Sequence, residues 1–224
     1  MAKRTFKHFT PRDKPKKRGA GQHKKNKNKH EKRQKNKLVT KDKAVFEELK
    51  EILQNQKINI TENDVLEYLQ ITNRWPYRYP WGQASVEIIS NINHKKDTYF
   101  FNVKGEFIYE KWKELYDKGF TTIISNILDL HPDLRKIKKE FFNILGINVC
   151  GNFYFSKVGQ KPSFDSHLHD YDVLVKQIYG ESEWNIKDQK NIVKPNDVII
   201  LPKGTLHSVI GKTTNKLSLT INIE

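Results

Sequence analysis

Two kinds of hydrophobic pattern divide the chain. Between residues 44 and 146 apolar side chains recur mostly every three or four positions, and from about 147 onward they fall in short runs broken by turn residues. In KAVFEELKEILQNQ (43–56), Val45, Phe46, Leu49, Ile52 and Leu53 share one face, which predicts an amphipathic helix. Thr61 precedes ENDVLEYLQ with Asp64 three positions later, a pairing able to cap a second helix. SVEIIS (85–90) and TYFFNV (98–103) predict strands, whereas EKWKELYDKG (110–119) and DLRKIKKEFFNIL (133–145) predict helices, the second entered through His131 and Pro132. The prolines of NRWPYRYPWG (73–82) exclude a regular helix, and its aromatics suit a cover over the edge of a core.

After residue 146 come INVCGNFYFS, YDVLVKQIYG, SEWNIK, NDVIILP, LHSVIG and KLSLTINI. Short strands at this spacing predict an antiparallel sandwich or barrel. The expected class is α+β: N-terminal helices followed by a β-barrel. The expected divisions are a tail over 1–40, a helical and mixed part over 41–146, and a barrel core over 147–224. Cys150 falls in a strand predicted to be buried, where a thiol serves as a small apolar filler.

Charge adds a tail to this picture. Residues 1–37 hold sixteen Lys and Arg against Asp13 and Glu31, so nearly all of the chain's formal +15 resides there. GQHKKNKNKHEKRQKNK (21–37) has too little apolar surface to offset its conformational entropy and is predicted to be disordered in isolation. Such a run neutralises phosphates, and Lys16, Lys17, Arg18, Lys24, Lys25, Lys32 and Arg33 are the candidate contacts to nucleic acid or a ribosome. A solubilising tail is the competing reading. A single cysteine permits no intrachain disulfide, no apolar run approaches a membrane span, and the first residues lack a signal peptide's apolar segment. A reducing, cytoplasmic setting without membrane attachment is the expectation.

Candidate chemistry lies in SFDSHLHDYDVLVKQIYGESEW (163–184). In a strand, residues two apart face the same side, so His167 and His169 point together and Leu168 points away. His207 ends PKGTLH, where proline and glycine suit a tight connection that delivers it to a neighbouring strand. Three converging imidazoles make a facial site with open positions for a divalent metal. His94 and His131 lie outside this pattern and read as a loop residue and a helix-start residue.

The H-x-H and P-x-G-x-x-H pair resembles the two motifs of the cupin superfamily, a double-stranded β-helix (jelly-roll) that holds a metal inside. On that resemblance His167, His169 and His207 are the ligands, Gly180 closes the first motif, Val173 replaces the glutamate that often ligates, and Gly211 replaces the asparagine ending the second motif. Residues 115 to 223 further resemble the JmjC-like ribosomal oxygenases, most specifically through Tyr171-Asp172-Val173 followed by Gln177, Gly180 and Trp184. The resemblance implies an Fe(II)-dependent, 2-oxoglutarate-using hydroxylase of a protein or RNA-associated substrate.

Two positions depart from that pattern. The family's ligating carboxylate becomes His169, making a three-histidine variant. The basic residue that grips the far carboxylate of 2-oxoglutarate, two before the tryptophan, becomes Ser182. A serine donates only a neutral hydrogen bond, so Lys176, Lys203 and Lys212 are the candidate replacements, and Tyr154 is a further candidate contact to the cosubstrate. The helices between 42 and 70 could also serve a homodimer. The alternative class is a non-catalytic, metal-binding cupin acting as a structural or binding module, in a phage or other nucleoprotein particle. Ser182 favours that alternative, and the three histidines favour the enzyme.

Overall fold

The computed structural model describes residues 43–71, 86–90, 93–104, 106–157, 164–213 and 215–223. The basic tail and NRWPYRYPWG lie outside the described residues. The compact unit runs from Lys43 to Glu224.

Helices α1 (Lys43–Asn55) and α2 (Glu62–Ile71) form as their periodicity requires. Leu49 and Leu53 of α1 and Val65 and Leu69 of α2 are fully buried within the chain. The faces considered for a dimer are therefore covered by the protein's own core. Thr61 and Asp64 cap α2 reciprocally: the Thr61 N–H donates to Asp64 Oδ2 at 2.6 Å, and the Asp64 N–H donates to Thr61 Oγ1 at 3.3 Å. Strands β1 (Val86–Ser90) and β2 (Asn93–Lys96) pair antiparallel, which puts His94 in a strand opposite Ile89 rather than in a loop.

The predicted strand TYFFNV does not form. Asp97–Phe100 is a short helix, α3, and Phe101 bridges Phe107 across a turn. Phe100 and Phe101 are both buried, the first at the end of the short helix and the second in the bridge. Asn102 Oδ1 closes the turn by accepting from the N–H groups of Lys104 and Glu106 at 2.8 and 3.0 Å. Then follow α4 (Tyr109–Asp117), β3 (Thr121–Ile124) and α5 (Pro132–Leu145), with the His131 ring accepting from the Asp133 N–H as the N-cap and Gly146 ending the helix at φ 68°.

The remaining strands are β4 (Cys150–Lys157), β5 (Asp172–Tyr179), β6 (Ser182–Ile186), β7 (Gln189–Val193), β8 (Val198–Leu201), β9 (His207–Gly211) and β10 (Asn215–Ile223). They lie in two sheets, one ordered β2-β1-β3-β4-β10-β5-β8 and the other β7-β6-β9. The bridge His167↔His207 adds a fourth member to the smaller sheet beside β9. Because β3 pairs with β4, the residues before and after 147 share one sheet. Cys150 opens β4 on the surface, so the thiol expected to be buried is exposed: the strand's buried run begins one residue later.

Strand β10 is central, between β4 and β5, and its alternation positions the site. Leu217, Leu219 and Ile221 belong to the main core beneath the helices, with Phe153 and Phe155 of β4. Residues of the other parity, Lys216, Ser218 and Thr220, turn inward between the sheets. The apolar residues packed there form a second cluster built on Val173, Val175, Trp184, Val193 and Leu201.

Candidate metal centre

His167 and His207 exchange both backbone hydrogen bonds, at 3.0 and 2.9 Å, so their side chains project from adjacent extended segments. The turn between β8 and β9 sets the second of them. Thr205 N–H donates to Pro202 O at 3.0 Å, and Gly204 sits at φ 75°, the left-handed position a type II turn demands. Gly204 N–H donates to His169 O at 2.8 Å, tying the turn to the first histidine pair. Leu168 points out to solvent, 57 % exposed.

One ring nitrogen from each of His167, His169 and His207 lies within 4.8 Å of the others. Ligands held at 2.0–2.1 Å around one ion sit about 3–3.5 Å apart, so modest ring rotations complete the set. His167 Nδ1 faces the carbonyl oxygen of Asp165 and His207 Nδ1 that of Thr205, each at 2.9 Å. A carbonyl only accepts, so both rings carry the proton on Nδ1 and leave the Nε2 lone pair free, the arrangement that fixes metal-ligating histidines. Trp184 stacks on His207 (5.8 Å between centroids, 23°) and Tyr171 on His169 (5.1 Å, 23°), limiting ring rotation. Burial, reinforced by the other two rings, pushes the His169 pKa down to about 4, and burial also lowers that of His207. Neutral imidazoles are the form that binds metal. The donor set fits a divalent metal ion.

The three rings open into a cavity of about 170 Å³ between the sheets. Tyr154 lines it, opposite Ser218 in the β4–β10 register, and burial raises its pKa to about 12. Ser182 does not line it. Its hydroxyl is fully buried, donating to Gln177 Oε1 at 3.0 Å and accepting from Trp184 Nε1 at 3.0 Å. Gln177 Oε1 accepts also from Ser218, so this group is closed on itself.

None of the three lysines considered as substitutes lines the cavity. Lys176 follows the parity of Leu174, away from the cavity, and its ammonium donates to Leu53 O, Gln54 O and Gln56 O at 2.8, 3.2 and 3.1 Å. Lys212 pairs with Glu183 at 2.8 Å. Lys203 is exposed, in the turn, with its N–H on Asp172. Two other lysines do line the wall: Lys157, which is paired with Asp117, and Lys216, 4 % exposed. The alternation KLSLTI put Lys216, Ser218 and Thr220 on one face of the last strand, and the strand order then turned that face inward.

Against known structures, the chain superposes on the X-ray structure of E. coli YcfD with a TM-score of 0.52 at 13% identity, covering 76% of this chain and 47% of that one. Two antiparallel sheets, with His167 bridged to His207 at the first residue of β9, complete the pattern. The fold is a double-stranded β-helix, or jelly-roll, preceded by helices. Another structure of YcfD, described as a ribosomal oxygenase from Escherichia coli, aligns at 14% identity with a TM-score of 0.48 over 76% of this chain and 45% of that one. A cupin superfamily protein from Desulfitobacterium hafniense matches at 24% identity and a TM-score of 0.31, over 34% of this chain and 66% of that one. The aligned residues of this chain thus span about half the length of YcfD. No family model matches the sequence, and no curated protein is significantly similar to it. No helix among the described residues is long and apolar enough to cross a membrane.

Proposed function

We propose that the protein is a metal-dependent oxygenase, a JmjC-like hydroxylase that holds Fe(II) on His167, His169 and His207 and acts on a protein or RNA-associated substrate. The observation that carries this reading is the preset tautomer of His167 and His207, whose Nδ1 positions face carbonyl oxygens and whose Nε2 positions are left to a ligand at the wall of a cavity. A structural histidine pair needs no such orientation. Iron bound there would supply the activation of dioxygen. The protein's own contribution is to orient the three rings, to shield the space with Trp184, Phe164 and Val209, and to offer Tyr154 as a hydrogen-bond donor to the cosubstrate. Tyr154 remains a phenol at neutral pH, since burial raises its pKa to about 12. 2-Oxoglutarate is the cosubstrate in this reading, and the basic tail with Lys16, Lys17, Arg18, Lys24, Lys25, Lys32 and Arg33 brings the enzyme to ribosomes or other RNA-rich particles.

The test is incubation of the Fe(II)-loaded full chain with 2-oxoglutarate, oxygen and ribosomes. The expected outcome is succinate formation together with a ribosomal component heavier by one oxygen atom, both lost in His207→Ala. Full metal occupancy with neither product would leave a non-catalytic binding module.

A further inference from the structure

The cavity wall contains no Asp or Glu among the described residues. It contains two lysines. Lys157 is paired with Asp117. Lys216 makes no hydrogen bond or ion pair to any described residue, although it is 4 % exposed and lies on the central strand β10. Burying an ammonium without a partner is costly and persists where a ligand supplies the missing charge. Burial lowers the Lys216 pKa to about 8, so the group is still mostly charged at neutral pH.

Space for its stem comes from Gly211. A Cβ at that position would lie 3.3 Å from Lys216 Cδ and 3.4 Å from Cε, so any larger residue would press on the lysine. The glycine at the end of the second histidine motif and the lysine of the last strand therefore form a fitted pair. The lining also carries the neutral hydroxyls of Ser156, Ser218 and Thr220. A cavity of roughly 150 Å³ holds a benzene-sized molecule, so about 170 Å³ has room for a small metabolite.

We propose that Lys216 anchors the far carboxylate of a small dicarboxylate whose other end lies at the three histidines. The anchor sits on the last strand, whereas Ser182, where the resemblance expected a basic residue, is consumed in its bonds to Gln177 and Trp184. This deepens the oxygenase reading and rests on it for the metal end, but the lysine end is testable by binding alone.

The experiment is calorimetric titration of 2-oxoglutarate, succinate, pyruvate and inorganic phosphate into the full chain loaded with Co(II), for wild type, Lys216→Met and Lys216→Arg. Loss of a charge-assisted hydrogen bond is expected to weaken 2-oxoglutarate roughly ten- to hundredfold in Lys216→Met, with metal content unchanged. Lys216→Arg retains most of the affinity, and pyruvate, which lacks the far carboxylate, binds weakly and equally to wild type and Lys216→Met. Wild-type affinity in Lys216→Met, an equal loss for pyruvate, tighter binding of phosphate than of either dicarboxylate, or no dicarboxylate binding to metal-loaded wild type would each overturn the assignment. Lys216-dependent binding without oxygen-dependent turnover would remove the oxygenase reading and leave the anchor standing. Turnover with an unchanged KM in Lys216→Met would do the reverse.

Discussion

Lys176 and Lys216 lie on neighbouring strands of one sheet and face opposite sides of it. The Lys176 ammonium reaches three carbonyl oxygens at the end of α1, while Lys216 turns into the cavity. Each is nearly inaccessible, but only Lys176 is provided with acceptors by the described residues.

Lys176→Met should therefore act on stability and not on ligand binding. The change leaves the carbonyls at the C-terminus of α1 without their donor and frees the helix from β5. The expected loss is about 2 kcal/mol, read from urea denaturation, given that hydrogen bonds to charged groups contribute about 1.5–3 kcal/mol each and the lysine's desolvation is relieved. Carboxylate affinity should stay at the wild-type value. A variant as stable as wild type would mean that the three contacts contribute nothing net.

Lys216 predicts a pH dependence of the metal-free protein. Its pKa is about 8 when folded and 10.5 ordinarily, so between those values the unfolded chain binds more protons and stability rises with pH. Below pH 8 both states are protonated and the full burial penalty applies, on the order of 3 kcal/mol by the size of the shift. Lys216→Met should be the more stable protein at pH 7, with the difference shrinking towards pH 10. Parallel stability profiles for the two proteins, measured by denaturation across that window, would contradict this.

The histidine site predicts a metal-dependent melting temperature. A divalent ion present at a hundred times its dissociation constant adds about 2.7 kcal/mol to folding stability. His169→Ala and His207→Ala should each lose that increment and retain the melting point of the metal-free protein to within a few degrees. An undiminished metal shift in both variants would locate the ion elsewhere.

Gly180 connects β5 to β6 at φ 71°, and a Cβ there would lie 2.1 Å from Asn215 O and 2.8 Å from Lys216 Cα. Gly180→Ala should cost more than about 2 kcal/mol, combining an unfavourable backbone conformation with a clash against backbone atoms that cannot move aside. Gly204 has a similar φ of 75° but open space around it, so Gly204→Ala should cost about 1 kcal/mol. Thermal melts of the two variants separate crowding from conformation.

Much of the fold was readable because its signals are local. The Thr61–Asp64 cap, the His131-Pro132 helix entry and the alternating strands each depend on residues within one or two turns of one another. TYFFNV misled because β-propensity is local, whereas here the chain passes through a short helix and a bridge that both place phenylalanines in the core. Cys150 misled because the end of a strand can emerge from a sheet whose interior is buried.

The site divides in the same way. Spacing alone put His167 and His169 on one face, and the Pro-Lys-Gly turn brought His207 to meet them; the sequence by itself determined these, because strand parity and turn geometry are short-range. The destinations of the lysines were decided by tertiary structure alone. Whether Lys176 or Lys216 faces the cavity depends on which side of β5 and β10 the helices cover, and whether Ser182 is free depends on Gln177 and Trp184 arriving beside it. Strand order, and with it the pairing of Lys216 with the space above Gly211, is set by contacts far apart in the chain, to which local periodicity carries no information.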